Sequence, residues 1–248
     1  MATRLHIGTK ELRGALTAYA KRFDLLEIKG ESAATLKRAP LSATLKKWRK
    51  SVPPHFDFVV VAGPAVGKVK ASDALEAELE AMLATAKVLE SRVIVLPTHS
   101  DVTPSKVSRD RVAKLLERIP RDASTVVWEP SGLWEHEDAA VQAKQWGVVL
   151  ACDPVRDVVP VGPVAFCRLR ALGQTRAYST AALEKVARAI GERRDAYVVI
   201  ETDGALKEAK TLRALVRAAG SKTRGGMGRL IRPRGAAARD DDDDDDEE

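Results

Sequence analysis

The sequence predicts an α/β fold of the (β/α)8 TIM-barrel-like type, with a parallel closed sheet, followed by a disordered C-terminal tail. Eight short runs rich in valine and isoleucine occur along the chain, and amphipathic segments separate them. Apolar residues in these runs mostly do not alternate with polar ones, which is typical of parallel strands covered on both faces. Strict alternation of strands and helices favours a parallel α/β fold, and eight units in about 220 residues suit a closed barrel.

The predicted strands are short and evenly spread. In chain order they cover residues 4–7, 25–29, 56–62, 92–96, 125–129, 148–152, 164–169 and 197–201. An open doubly wound sheet is the alternative architecture. It fits less well, because no glycine-rich dinucleotide-binding turn follows the first run.

The predicted helices lie between these strands. The clearest covers residues 73–90, where Ser72 is a suitable N-cap and Glu76 and Glu80 lie in the early turns. The other predicted helices are 9–23, 43–50, 105–119, 136–146, 180–192 and 206–219. Gly220 is placed to end the last helix. Segment 153–163 contains three prolines and is predicted to be a loop.

Charge divides the chain into three parts. Residues 240–248 are nine consecutive acids, and residues 221–239 carry six Lys or Arg and no acid. Residues 1–220 therefore hold 41 − 6 = 35 basic and 35 − 9 = 26 acidic residues, an excess of +9. We predict a barrel domain over 1–220, a basic Gly/Arg-rich linker over 221–239 and an acidic tail over 240–248, with both tail segments disordered. The basic excess is compatible with an anionic ligand and equally with a solvated surface.

Cellular location is predicted from what the sequence lacks. The N-terminal residues contain no apolar stretch of a secretory signal, and no apolar run approaches about 18 residues. Cys152 and Cys167 lie in strand-like runs and are expected to be core thiols rather than a disulfide framework. We therefore expect a cytoplasmic protein that does not bind a membrane. The sequence identifies no cofactor and no oligomeric state.

Short motifs near the strand ends occur in a recognisable order: Ile7-Gly8-Thr9, Leu26-Glu27-Ile28, Trp48-Arg49, Trp128-Glu129-Pro130, Cys152-Asp153-Pro154 and Arg168-Leu169. In this order they resemble the YecE-like family, domain of unknown function 72, over about residues 5–215. The resemblance implies a TIM-barrel-like fold and no particular activity. The sequence departs from the family pattern at several polar positions, with Lys29 in place of Asn or Gln, Ser131 in place of Arg, and Arg170 in place of His.

The candidate site lies where the strands end, because functional groups of such barrels gather at the C-terminal face. We predict that Glu27, Glu129 and Asp153 are catalytic. The residues predicted to bind substrate are Lys29, Arg168, Arg170 and Asp203. Other charged residues at strand ends are His99, Asp101 and Glu201.

Two questions about this site stay open at the sequence level. A charge inside an apolar run needs a partner, so Glu27 and Arg168 either face a ligand together or form an internal ion pair. Glu129 and Asp153 suit a general acid–base pair, or oxygen ligands of Mg²⁺ or Mn²⁺ with His99 as a nitrogen ligand. No sharp metal-binding motif supports the second alternative, so no metal ligand is predicted.

We therefore expect a hydrolase or lyase that acts on a phosphorylated or otherwise anionic substrate at the C-terminal barrel face. The alternatives are a non-catalytic protein that binds nucleic acid, and a scaffold whose family site is eroded. The basic segment and its Arg224-Gly225-Gly226 sequence favour the nucleic-acid alternative. Residues 63–68 resemble a phosphate-binding loop, but the spacing is one residue short and no Ser or Thr follows the lysine. A flexible loop is expected there.

Overall fold

The computed structural model describes residues 3–30, 42–122, 124–171, 177–191 and 193–225. Within these ranges eight parallel strands close into one barrel in chain order, with β1 paired to both β2 and β8. The strands are β1 Arg4–Thr9, β2 Leu25–Lys29, β3 Asp57–Val61, β4 Val93–Pro97, β5 Thr125–Glu129, β6 Val149–Cys152, β7 Val164–Leu169 and β8 Asp195–Ile200. The helices are α1 Leu16–Tyr19, α2 Ser42–Ser51, α3 Pro64–Lys68, α4 Asp73–Leu89, α5 Lys106–Glu117, α6 His136–Trp146, α7 Thr180–Ile190 and α8 Ala205–Gly225. The predicted fold class is confirmed.

Alternation along the strands separates two cores. One set of strand side chains fills the barrel interior: Leu25, Val59, Val93, Val95, Val127, Phe166, Tyr197 and Val199. The intervening residues, such as Leu26, Val60 and Cys167, pack outward with the helices. Successive side chains of a strand point to opposite faces, so a residue two positions beyond an interior residue also faces the interior. This rule places Glu27, Glu129, Arg168 and Glu201 in the layer above the apolar interior, at the C-terminal end of the barrel.

Helix α4 begins and ends as its sequence predicts. The Ser72 side chain accepts a hydrogen bond from the Leu75 backbone N–H, and Glu90 follows the last turn in the left-handed conformation. The segment 153–163 forms a loop without a helix or strand, as predicted. Cys152 and Cys167 are both buried and free, which confirms the prediction of core thiols. No helix in the described part of the chain is long and apolar enough to cross a membrane.

The expected loop at residues 63–68 is instead helix α3, and this prediction was wrong. The buried Glu78 of α4 explains the helix, because its Oε2 atom accepts hydrogen bonds from the N–H groups of Ala65 (2.8 Å) and Val66 (3.2 Å). Pro64 occupies the first turn, where a missing N–H costs nothing. A carboxylate from another helix thus performs the capping that the local sequence does not supply.

We expect Glu78→Ala to lower the free energy of unfolding by about 1–2 kcal/mol, because it leaves two N–H groups of α3 without an acceptor. Denaturant unfolding of the purified protein measures this change. Glu80→Ala is the matched control, since Glu80 is an exposed acid on the same helix. Equal effects of the two substitutions would contradict the capping role.

Two helices differ from the prediction by more than two residues at an end. Helix α1 covers only Leu16–Tyr19 instead of residues 9–23, because β1 extends to Thr9 and Gly14 takes a φ of 82°. Helix α8 continues through Gly220 to Gly225. A glycine in a helix interior destabilises the helix by only about 1 kcal/mol relative to alanine, so Gly220 does not end α8. The rest of the predicted basic linker and the whole acidic tail, residues 226–248, lie outside the described residues.

Candidate active site

Arg168 is the centre of an ion cluster at the C-terminal end of the barrel. Its Nη1 and Nη2 atoms donate to the two oxygens of Glu27 at 3.0 and 2.7 Å. Nη1 also donates to Glu201 at 2.9 Å, and Nε donates to Glu129 at 3.1 Å. One guanidinium therefore binds three carboxylates that come from β2, β5 and the residue after β8. Strand alternation brings all four side chains to one layer.

The charged groups of this cluster are largely removed from solvent, so each charge needs a partner of opposite sign. The side chains of Arg168 and Glu27 are only 6% and 3% exposed. Burial by itself would lower the pKa of Arg168, but the bonds to Glu27, Glu129 and Glu201 outweigh it and raise that pKa, so the guanidinium stays charged. Burial raises the pKa of Glu27 even beside Arg168. Glu201 is less buried, and its bonds to Arg168 lower its pKa despite partial desolvation.

Arg170 forms a second, more exposed layer above Arg168. Its Nε donates to Glu201 at 3.2 Å, and its Nη2 bonds to Glu129. Lys10 lies 3.6 Å from the second oxygen of Glu201. The side chain of Arg170 is 49% exposed, whereas Glu129 beside it is 15% exposed. The cluster thus contains one buried arginine, Arg168, and above it one arginine in contact with solvent, Arg170.

A cavity of about 520 Å³ opens beside this second layer, between the ends of β3, β4 and β5. Lys29, His99, Glu129, Ser131 and Arg170 contribute polar side chains to its wall. All five come from positions at strand ends that the sequence identified as charged or polar.

Asp203 faces a different cavity, of about 580 Å³, between the segments that follow β1 and β8. There it forms an exposed ion pair with Arg13 at 3.3 Å. Lys10 and Glu201 line the same cavity, so Glu201 connects the two halves of the barrel mouth. Asp203 therefore does not share the cavity that holds Lys29 and Arg170.

Asp153 also has its own set of contacts. Its Oδ2 accepts a hydrogen bond from the Tyr178 hydroxyl at 3.0 Å, and its Oδ1 accepts one from the Val155 N–H at 3.0 Å. Burial and the neighbouring Asp153 raise the pKa of Tyr178, so this phenol keeps its proton and donates it. Glu129 thus bonds to arginines, whereas Asp153 bonds to a tyrosine and to a backbone N–H.

The metal alternative has no support in the described part of the chain. No group of three or more His, Cys, Asp or Glu side chains there is arranged to hold a metal ion. His99 lies 3.3 Å from Asp101 at the surface, while Glu129 is held by arginines. For Glu27 and Arg168, the contacts match the internal ion pair rather than a pair that faces a ligand.

Sequence reasoning missed the importance of three residues. Glu201 was noted only as a strand-end acid, although β8 neighbours β7 and Glu201 follows Val199 by two positions, as Arg168 follows Phe166. Lys10 follows β1 immediately, so its place at the mouth could have been inferred from the same rule. Tyr178-Ser179 belongs to the motifs that resemble the family, but strand alternation did not indicate its contact with Asp153, because Tyr178 lies in a loop.

The fold and the motifs can now be compared with known proteins. The sequence model described as "Protein of unknown function DUF72" matches residues 6–233. The chain belongs to the DUF72 family. This confirms the resemblance found from the strand-end motifs, and the matched range contains every residue of the ion cluster. No curated protein matches the sequence of this DUF72 protein.

Solved structures show the same barrel. A DUF72 family protein from Enterococcus faecalis V583 superposes with a TM-score of 0.66 at 15% identity, covering 86% of this chain and 95% of that chain. A DUF72 family protein from Thermotoga maritima MSB8 gives 0.64 at 15% identity, covering 86% and 99%. D-Psicose 3-epimerase from Clostridium cellulolyticum H10 gives 0.53 at 12% identity, covering 91% and 99%. At these identities the similarity shows the fold alone.

Proposed function

We propose that this DUF72 protein is an enzyme, a hydrolase or lyase, that acts on a phosphorylated or otherwise anionic substrate at the C-terminal end of its barrel. One observation carries the proposal. The cavity of about 520 Å³ has two cationic side chains and a histidine in its wall beside a single carboxylate. Such a wall combines groups that attract an anion with a carboxylate and an imidazole, both of which can transfer a proton.

Arg170 is the proposed anion-binding group, with Lys29 beside it in the cavity wall. Half of the Arg170 side chain is exposed, and a guanidinium has five N–H donors in a planar fork that fits phosphate or carboxylate oxygens. Its bonds to Glu129 and Glu201 restrict its orientation, which reduces the entropy lost when a ligand binds.

Glu129 is the proposed general acid–base. It lines the cavity, and both hydrolysis and elimination need a group that accepts or donates a proton near the substrate. Arg168 holds it through Nε, so Arg168 and the buried Glu27 act as positioning residues rather than as groups that touch substrate. Asp153 is not assigned this role, because its contacts are with Tyr178 and Val155.

A thermal-shift screen with the full chain tests the proposal. The probes are sugar phosphates, nucleotides, divalent metals and short oligonucleotides, at low and moderate salt. A ligand at 100 times its Kd stabilises the folded state by about 2.7 kcal/mol, which corresponds to roughly 5–10 °C in Tm for a domain of this size. We expect a small anionic probe to give such a shift.

Three variants then locate the site of the ligand. Arg170→Met is expected to abolish the shift, and Glu129→Gln to retain binding while turnover of the identified ligand falls by at least about 100-fold. Arg118→Met is the matched control. Arg118 directly follows α5, is exposed and forms an ion pair with Glu76 of α4. A shift that survives in Arg170→Met would contradict the proposed site. A shift with oligonucleotides alone that salt abolishes would favour nucleic-acid binding instead.

A further inference from the structure

The opposite, N-terminal end of the barrel carries a second charged cluster that the proposed function does not use. Arg4 begins β1, Arg92 precedes β4 and Arg194 precedes β8. Since the strands are parallel, these three residues lie at one edge of the barrel. We call Arg4, Arg92 and Arg194 the arginine rim.

Two buried aspartates hold the arginine rim in place. Nε of Arg4 and Nε of Arg194 lie 2.7 and 2.9 Å from the two oxygens of Asp195. Nε of Arg92 lies 2.6 Å from Asp57. The aspartate side chains are 8% and 2% exposed, whereas those of Arg4, Arg194 and Arg92 are 62%, 61% and 47% exposed. The guanidinium groups are therefore held by buried carboxylates and are still accessible to a ligand from solvent.

Two further arginines add positive charge at the same end. Nη1 of Arg121 donates to the Trp146 carbonyl, and Nη2 of Arg193 donates to the carbonyls of Val159 and Pro160. A carbonyl does not neutralise an arginine as a carboxylate does. Arg121 and Arg194 line one cavity of about 460 Å³, together with the 159–165 segment. The N-terminal end thus offers an anion a groove with arginines on its wall.

Helix α8 delivers the C-terminal segment to this end. Arg213 donates to Asp24 at 2.7 Å and to the Arg22 carbonyl at 3.0 Å, and Asp24 immediately precedes β2. At Arg213 the helix has therefore reached the level where the strands begin. It continues to Gly225, about 18 Å further at 1.5 Å per residue. The chain thus leaves the described part beyond the N-terminal face.

The geometry points to the acidic tail, residues 240–248, as the occupant of the arginine rim of its own barrel. Fourteen residues, 226–239, separate the end of α8 from the nine acids. Fourteen residues span at most about 45–50 Å, enough to return to the barrel end. Tethering gives the tail an effective concentration of about millimolar, which a free polyanion of equal affinity must exceed to displace it. The tail then acts as an intramolecular competitor for polyanions at this face.

Paramagnetic relaxation in the full chain locates the tail. A nitroxide on Glu248→Cys labels one site, because the native Cys152 and Cys167 are buried. At low salt we expect the amide signals of Arg4, Arg92 and Arg194 to lose intensity, while those of His99 and Arg170 at the opposite end do not. At 1 M salt, where the Debye length is about 3 Å, the loss should disappear. No loss at the arginine rim, or a loss that persists at 1 M salt, would overturn the inference.

Substitutions of arginines at the N-terminal end of the barrel distinguish binding of the tail to this end from binding of the tail to the neighbouring basic linker. Arg121→Gln combined with Arg194→Gln is expected to reduce the intensity loss at Arg4 and Arg92, whereas Arg13→Gln, at an exposed ion pair at the opposite end of the barrel, is expected to leave it unchanged. Arg121 bonds only to a carbonyl in the described contacts, so Arg121→Gln alone serves if the double variant does not fold. The inference would be overturned if these variants left the signals of Arg4 and Arg92 as broad as before, while substitution of Arg229, Arg232 and Arg234 by glutamine removed the broadening. That result would mean that the tail binds its own linker.

Discussion

Arg168→Met is expected to lower the free energy of unfolding by about 3–5 kcal/mol at neutral pH, because it removes the cation bonded to the buried Glu27 and leaves Glu129 and Glu201 with fewer cationic partners. Glu27, Glu129 and Glu201 all bond to this one guanidinium. Methionine matches the length of the arginine stem, so little packing is lost. Denaturant unfolding measures the change, and Arg118→Met, at an exposed ion pair screened by solvent, should have little effect.

The pH dependence of this variant gives a second, independent readout. Burial and the neighbouring Glu129 and Glu201 raise the pKa of Glu27, and without Arg168 nothing opposes them. The folded variant then binds a proton that the unfolded chain has released, so its stability rises as the pH falls from neutral toward 4.5. In the unsubstituted protein, the lowered pKa of Glu201 works in the other direction, because its stabilisation exists above 4.5 and is lost as the pH falls through the folded-state pKa.

The difference in stability between the two proteins should therefore shrink in acid. Glu27→Gln introduced into Arg168→Met should recover part of the loss at neutral pH, since it removes the buried charge that lost its partner. A loss of stability in Arg168→Met that is independent of pH would mean that packing, not charge, explains the effect.

Gly8→Ala is expected to lower the free energy of unfolding by about 3 kcal/mol or more, or to prevent folding, because the methyl group collides with backbone. A Cβ atom at Gly8 would lie 1.9 Å from the Leu25 carbonyl oxygen. Gly8 and Leu25 are register partners in β1 and β2, so relief requires the two strands to separate. Backbone in a closed barrel has little freedom to move.

Gly162→Ala is the matched control for this substitution. A Cβ atom there would meet only the Val164 carbonyl oxygen, at 3.9 Å, which is an ordinary contact. Thermal unfolding followed by far-ultraviolet circular dichroism compares the two variants. Similar stabilities for Gly8→Ala and Gly162→Ala would contradict the close approach of β1 and β2.

The sequence was sufficient for the barrel because burial on both faces makes each strand a continuous apolar run. Each of the eight runs contains most of a strand, with errors of a few residues at the ends, as β1 and β8 illustrate. Interactions distant in sequence were not predictable in this way. Helix α3 depends on Glu78, 13 residues after Ala65, and its own sequence looks like a loop.

The difference between strand periodicity and contacts distant in sequence also explains which site residues could be predicted. Glu27, Glu129, Arg168 and Arg170 lie on or directly after strands, where alternation fixes the direction of a side chain, and the structure brings these four together. Asp203 lies three residues after β8, beyond the strand periodicity, and Asp153 directly follows β6 but bonds to a loop residue rather than to the arginines. Their partners, Tyr178 and Arg13, come from loops whose course the sequence does not specify.

Arginine side-chain signals in a phosphate titration test the proposed anion site most directly. The Nε–H resonances of arginines, assigned with Arg170→Met, are followed by NMR as inorganic phosphate is added to the full chain. We predict a saturable shift of the Arg170 resonance, because half of this side chain is exposed, and little change for Arg168, which is buried. An unchanged Arg170 resonance, with shifts confined to Arg4 and Arg194 at the other end of the barrel, would contradict an anion-binding active site at the C-terminal mouth.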